Sequence, residues 1–137
     1  MQVNTELRRV GMDNIFLVAP TTPEKRVEKI CQEASGFIYY VSLKGVTGAG
    51  HLDLEAVRSG VAGIQQHTDL PVAVGFGIKD AESARAIATT ASGVVVGSAL
   101  VNRVAETIAA GGDSEAAIDA AGQLLREIRE GLDSIAS

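Results

Sequence analysis

The chain has 137 residues, room for one domain around one core. Hydrophobic residues make up 46% and charged residues 21%, which argues against disorder, and a net charge of −5 without a basic run argues against nucleic acid as a partner. No apolar stretch reaches the roughly eighteen residues of a membrane helix, Met1 to Thr5 lack a signal-peptide core, and the lone Cys31 forms no internal disulfide, so a reducing cytoplasm is the expected compartment.

In chain order, Leu7 to Val10 reads as the tail of a helix preceding a first strand, Ile15 to Val18. Thr22 then offers an N-cap with Pro23 at the first helical position, Val27, Ile30, Cys31 and Ala34 repeat on one face, and Gly36 ends the helix. A second strand, Phe37 to Val41, leads into a Gly-rich loop, Gly45 to Gly50. The helix beyond it carries Leu54, Val57, Val61 and Ile64 at 3-4-3 spacing, with Gly60 and Gly63 each costing roughly 1 kcal/mol relative to Ala. Asp69 reads as a turn cap before a third strand, Val72 to Val74. Asp80 caps a short helix with Ala84, Ile87 and Ala88. After a fourth strand, Val94 to Val96, Asn102 to Ala110 forms a brief helix. Asp113 opens a longer one with Ile118, Ala121, Leu125, Ile128, Leu132 and Ile135 on one stripe.

The four strands are short and apolar without alternation, so both their faces should be covered, as in a parallel sheet. The order (α)βα-βα-βα-βα requires right-handed crossovers. The fold class is therefore α/β: a parallel (β/α)4 half of a TIM (β/α)8 barrel with flanking helices. No linker divides residues 1–137, which read as a single half-barrel domain.

Such folds place their working groups at the C-terminal ends of the strands. Three of those ends are rich in Gly: Ser42 to Gly50, Gly75-Phe76-Gly77-Ile78 and Gly97-Ser98-Ala99-Leu100. Glycine lets backbone N–H groups approach and surround a phosphate, and a helix N-terminus adds its positive dipole end. Any one such loop can be glycine-rich for tight turning alone; three together, two of them one βα unit apart, point to phosphate. The spacing matches neither a P-loop nor a G-x-G-x-x-G fingerprint. Other residues suggest less. His51 and His67 lie too far apart in pattern for a metal pair and read as solvent-facing, so no metal site is expected. Cys31 reads as core. Lys44 reaches an anion from its loop or stays solvated. Tyr39 and Tyr40 alternate across their strand, one toward the barrel interior and one toward the helices. No strand end offers a convincing carboxylate, His or Lys for acid–base chemistry, so no catalytic residue is assigned.

The stretches Phe16 to Pro23, Tyr39-Tyr40-Val41-Ser42-Leu43-Lys44-Gly45-Val46-Thr47-Gly48-Ala49, Pro71 to Ile78 and Gly97 to Val101 resemble the tryptophan synthase α subunit family across nearly the whole chain. The Ser42 to Ala49 loop is the most specific part. The resemblance implies a TIM barrel that cleaves indole-3-glycerol phosphate to indole and glyceraldehyde 3-phosphate. It also implies a β-subunit partner that holds pyridoxal phosphate (PLP), with no cofactor in this chain. It places Gly48, Gly77, Gly97 and Ser98 at the substrate phosphate. It places Tyr39, Phe76 and Val95 along the indole and glycerol pocket, and Thr47 on the loop that pairs with a catalytic aspartate on closure.

The match runs over strands five to eight only. The family's catalytic Glu and Asp belong to the other half, so no position here inherits them, and Met1 to Thr5 depart from the family's usual lead-in. A half barrel exposes two edge strands and an apolar inner face. The expectation is pairing with a second half or self-association, and aggregation or loose packing without either. Two functions follow: the α-type lyase completed by another half, or a non-catalytic phosphate-ester-binding or assembly module.

Overall fold

The computed structural model describes residues 2–42, 53–75 and 77–135. In chain order the elements are α1 (Gln2–Arg9), β1 (Phe16–Val18), α2 (Glu24–Glu33), β2 (Ile38–Val41), α3 (Leu54–Gln65), β3 (Val72–Gly75), α4 (Ala81–Ala88), β4 (Gly93–Val95), α5 (Ser98–Ala109) and α6 (Ser114–Asp133). The strands form one parallel sheet in the order β1-β2-β3-β4, as the alternation of strands and helices requires.

The register joins Leu17 to Tyr39, Tyr39 to Ala73, and Ala73 to Gly93; one residue on, Val18 meets Tyr40, Tyr40 meets Val74, and Val74 meets Val94. Successive rows point to opposite faces. The row of Val18, Tyr40 and Val74, with Ile38 and Val72 two residues earlier, is buried together with Val57, Val61 and Ile64 of α3 and Ile87 of α4. The opposite face is not covered in the same way: Leu17 is 63% exposed and Tyr39, Val41, Ala73 and Val95 are only half-buried. The expectation that both faces are covered therefore fails. The absence of polar residues on the strands marks an apolar inner face, not a second layer of helices. The Tyr pair divides as alternation requires, Tyr40 under the helices and Tyr39 on the open face.

Several element ends differ from the sequence reading, each for a local reason. Pro23, not Thr22, is the N-cap of α2; the Thr22 hydroxyl instead accepts a hydrogen bond from Ala19 N–H at 3.0 Å and closes the turn after β1. The turn before β3 is held by Thr68, whose hydroxyl accepts from Leu70 N–H at 3.2 Å, in the role expected of Asp69. Leu54 is exposed at the start of α3, whose buried stripe is Val57, Val61 and Ile64. α5 starts at Ser98, four residues before its expected beginning. On α6 the inward stripe is Ala117, Leu124 and Ile128, with Gly131 against Ala81 of α4, while Ile118 (71% exposed) and Leu125 face outward and Ile135, past the helix end, is exposed. Small residues at 117 and 131 let α6 approach α4 and α5 closely, and the bulkier track beside them is left outside.

Two polar arrangements fix the helices. Asn4 of α1 is buried, its Nδ2 donating to Glu33 O and Glu33 Oε2 at 2.9 Å each, and Arg8 donates to Glu33 O at 2.8 Å. α1 thus satisfies the C-terminal end of α2, which has no basic residue of its own in the last turn. Asp80 and Ser83 form a reciprocal capping box at α4. The Ser83 N–H and then its hydroxyl, with a smaller contribution from Lys79, hold the Asp80 carboxyl below its usual range.

Gly60 of α3 sits where a Cβ would overlap the Tyr40 ring and hydroxyl, whereas a Cβ on Gly63, one turn away, meets nothing within 4 Å. Substituting the two by Ala therefore has opposite effects. Gly60→Ala is expected to lower unfolding free energy by about 1–3 kcal/mol through overpacking, and Gly63→Ala to raise it by about 0.5–1 kcal/mol, both read from urea denaturation. Asp80→Ala is expected to cost about 1 kcal/mol at neutral pH. Because the folded pKa is the lower one, this difference is complete above about pH 4 and closes as pH falls through the folded value. Urea midpoints of both proteins across the acid range check it.

Candidate functional site

The strand ends carry a hollow of about 330 Å³ lined by Tyr39, Val95, Gly77, Lys79, Gly97 and Ser98, among others. Tyr39 reaches it from the open face of β2. Its ring and hydroxyl lie over Gly75 at the end of β3, in the space a side chain there would fill. Val95 ends β4, paired with Gly75. Gly77 has φ +81°, a left-handed conformation open to glycine at no steric cost, and it turns the chain out of β3 toward α4.

Gly97 is the N-cap of α5 and has no side-chain cap, and no acidic residue stands in the helix's first turn. In α3, α4 and α6 the same place is taken by Asp53, Asp80 and Asp113, which accept from Ala56, Ser83 and Ala116 N–H at 3.1, 2.8 and 2.9 Å, and each has a Glu in its first turn. At α5 the positive end of the dipole and the first-turn residues Ser98 and Ala99 line the hollow, and among the described residues no carboxylate caps that end. The Ser98 hydroxyl adds a donor at the same point. Such a cradle is chemically suited to an anion of phosphate size.

Of the residues singled out in the sequence, Tyr39, Gly77, Val95, Gly97 and Ser98 thus meet in one hollow. Thr47, Gly48 and Phe76 lie outside the described residues, as do Lys44 and His51. His67 is half-buried, not solvent-facing as expected. It lines a different hollow between α2 and α3, on the helix-covered side of the sheet, with Val27, Tyr40, Gly60 and Ile64. Cys31 is buried in the core, where desolvation pushes its thiol up. Sequence reasoning passed over two residues of the wall, Lys79 and Asn102. Both had a legible signal. Lys79 follows Gly77-Ile78 at a strand end, and Asn102 stands four residues after Ser98, one turn along the same helix face.

A parallel sheet with this hollow at its strand ends defines an α/β protein of the barrel type, and comparison with known proteins narrows the class. The family model for the tryptophan synthase alpha chain matches residues 1–131. The tryptophan synthase alpha chain of Thioalkalivibrio sulfidiphilus is 55% identical over 127 residues, covering 93% of this chain and 47% of the relative. That of Halorhodospira halophila is 56% identical over 101 residues, 74% of this chain and 37% of the relative. The crystal structure of the alpha chain from Legionella pneumophila superposes with a TM-score of 0.83 at 36% identity, over 99% of this chain and 48% of that one. The chain belongs to the tryptophan synthase alpha chain family. It spans about half the length of the curated relatives it matches, and its four-stranded sheet corresponds to about half of their barrel.

The uncapped start of α5 gives a direct test of the cradle. Ser98→Asp places a carboxylate in that first turn, where it favours the helix by about 0.3–1 kcal/mol and opposes any anion. The variant is expected to melt at or slightly above the parent temperature. Unlike the parent, it should gain no thermal stability from millimolar inorganic phosphate in a melting experiment.

Proposed function

We propose that this chain is the substrate-holding half of a tryptophan synthase α-type lyase, which cleaves indole-3-glycerol phosphate to indole and glyceraldehyde 3-phosphate. The observation that carries the reading is the meeting of Gly77, Gly97, Ser98, Tyr39 and Val95 in one hollow beside an uncapped helix, in a chain of this family. Gly77, Gly97 and Ser98, with Gly48 from the loop after β2, hold the phosphate. Tyr39, Phe76 and Val95 line the indole and glycerol pocket, and Thr47 serves loop closure. The partner is the tryptophan synthase β subunit, which supplies PLP, and the compartment is the cytoplasm.

Among the described residues lining the hollow there is no carboxylate and no imidazole. The resemblance assigns proton transfer to groups on the other half of the barrel, outside this chain. The two edge strands, β1 and β4, and the half-open sheet face are suited to receive such a half. The same composition favours a second reading, a non-catalytic module that binds phosphate esters without turning them over.

Indole release from indole-3-glycerol phosphate separates the two. The lyase reading expects no turnover by the chain alone and turnover once a polypeptide carrying the complementary four βα units is added. Turnover by the chain alone would overturn the placement of the catalytic groups elsewhere. Stabilisation by a phosphate ester with no turnover in either mixture would favour the binding module.

A further inference from the structure

A phosphate monoester carries close to two negative charges at neutral pH, and this chain carries a formal net charge of −5. The overall field therefore opposes capture of the ligand. Backbone N–H groups and a helix end answer it only with partial charges. Of the described residues that line the hollow, Lys79 alone bears a full positive charge; Ser98 and Asn102, its polar neighbours across the hollow, are neutral.

The backbone at Lys79 is fixed by its surroundings. Ile78 before it is buried in the core, and Lys79 N–H donates to Ser83 Oγ at 3.1 Å. The adjacent Asp80 carboxylate is turned into α4, accepting from Ser83 N–H at 2.8 Å and Ser83 Oγ at 2.7 Å. Among the described residues no carboxylate comes within ion-pair distance of Lys79, and the adjacent Asp80 carboxylate, which feels its charge, is bound to Ser83. The β3–α4 turn thus sets the Lys79 backbone at the wall of the hollow, while the neighbouring anion caps α4.

Resting on the phosphate reading of this hollow, we propose that Lys79 is a specificity-determining residue, the counter-charge by which the site selects a phosphate monoester over neutral or singly charged analogues. Its ammonium group approaches the ligand from the β3–α4 turn, and the α5 amides and Ser98 hydroxyl approach from the neighbouring strand end. The backbone sets the shape of the cradle, and Lys79 sets its charge. A Lys on a flexible stem serves here as a point charge and does not require the planar fork of Arg.

Calorimetric titration with glycerol 3-phosphate, at low and raised salt, tests this on the parent chain, Lys79→Met, Lys79→Arg and Ser98→Ala. Lys79 is exposed, so its substitution leaves the urea midpoint unchanged. Lys79→Met is expected to bind about five- to tenfold more weakly and to lose most of the salt dependence, and Lys79→Arg to stay within about twofold of the parent. Ser98→Ala weakens binding but keeps the parent's salt dependence, because it removes a neutral donor. Unchanged affinity and salt dependence in Lys79→Met would overturn the role of Lys79 and leave the phosphate site standing. Failure of the parent chain itself to bind glycerol 3-phosphate would overturn the phosphate reading, and the role of Lys79 with it.

Discussion

Side chains alternate along a strand, and in this chain the register of four parallel strands turns that alternation into two continuous surfaces. One surface, built around Val18, Ile38, Tyr40, Val72 and Val74, is sealed by the helices and supplies the core. The other carries Leu17, Tyr39, Val41, Ala73 and Val95 and keeps part of its area open. A parallel sheet normally requires cover on both sides. The uncovered side is the one from which Tyr39 reaches the strand ends, so the demand for cover and the location of the hollow share one origin.

The helices were legible where capping chemistry spoke for itself. Asp80 and Asp113 stand where short polar side chains accept from the first-turn amides, and both start their helices as the sequence implies. Packing was less legible. Ile118 and Leu125 of α6 look like core by hydrophobicity, yet the helix turns Ala117, Leu124 and Ile128 inward. Which of two adjacent stripes faces in depends on how closely neighbouring helices can approach, and the hydrophobic period alone carries no such information. Gly60 illustrates the same gap. By propensity it is a weak point in α3, but in the fold it is the space that Tyr40 fills.

At the hollow, the glycines were readable because the backbone geometry they permit has few other uses at a strand end. Gly77 adopts its positive φ, and Gly97 leaves α5 uncapped. Lys79 and Asn102 stand near the site by spacing, Lys79 after Gly77-Ile78 and Asn102 one turn after Ser98, but an exposed Lys or Asn looks the same in sequence whether it faces a ligand or water. Only the convergence of the β3–α4 turn with the first turns of α5 separates them from ordinary surface residues.

The contact between Tyr39 and Gly75 constrains how this sequence can change over time. The aromatic ring occupies the volume that any side chain at 75 would need, so the two positions are coupled. A side chain at 75 displaces the far end of the Tyr39 ring, which stands half-buried on the open face, so a replacement at 75 reshapes the hollow that Tyr39 lines. The depth of the hollow is therefore a joint property of positions 39 and 75, inherited as a pair and not residue by residue.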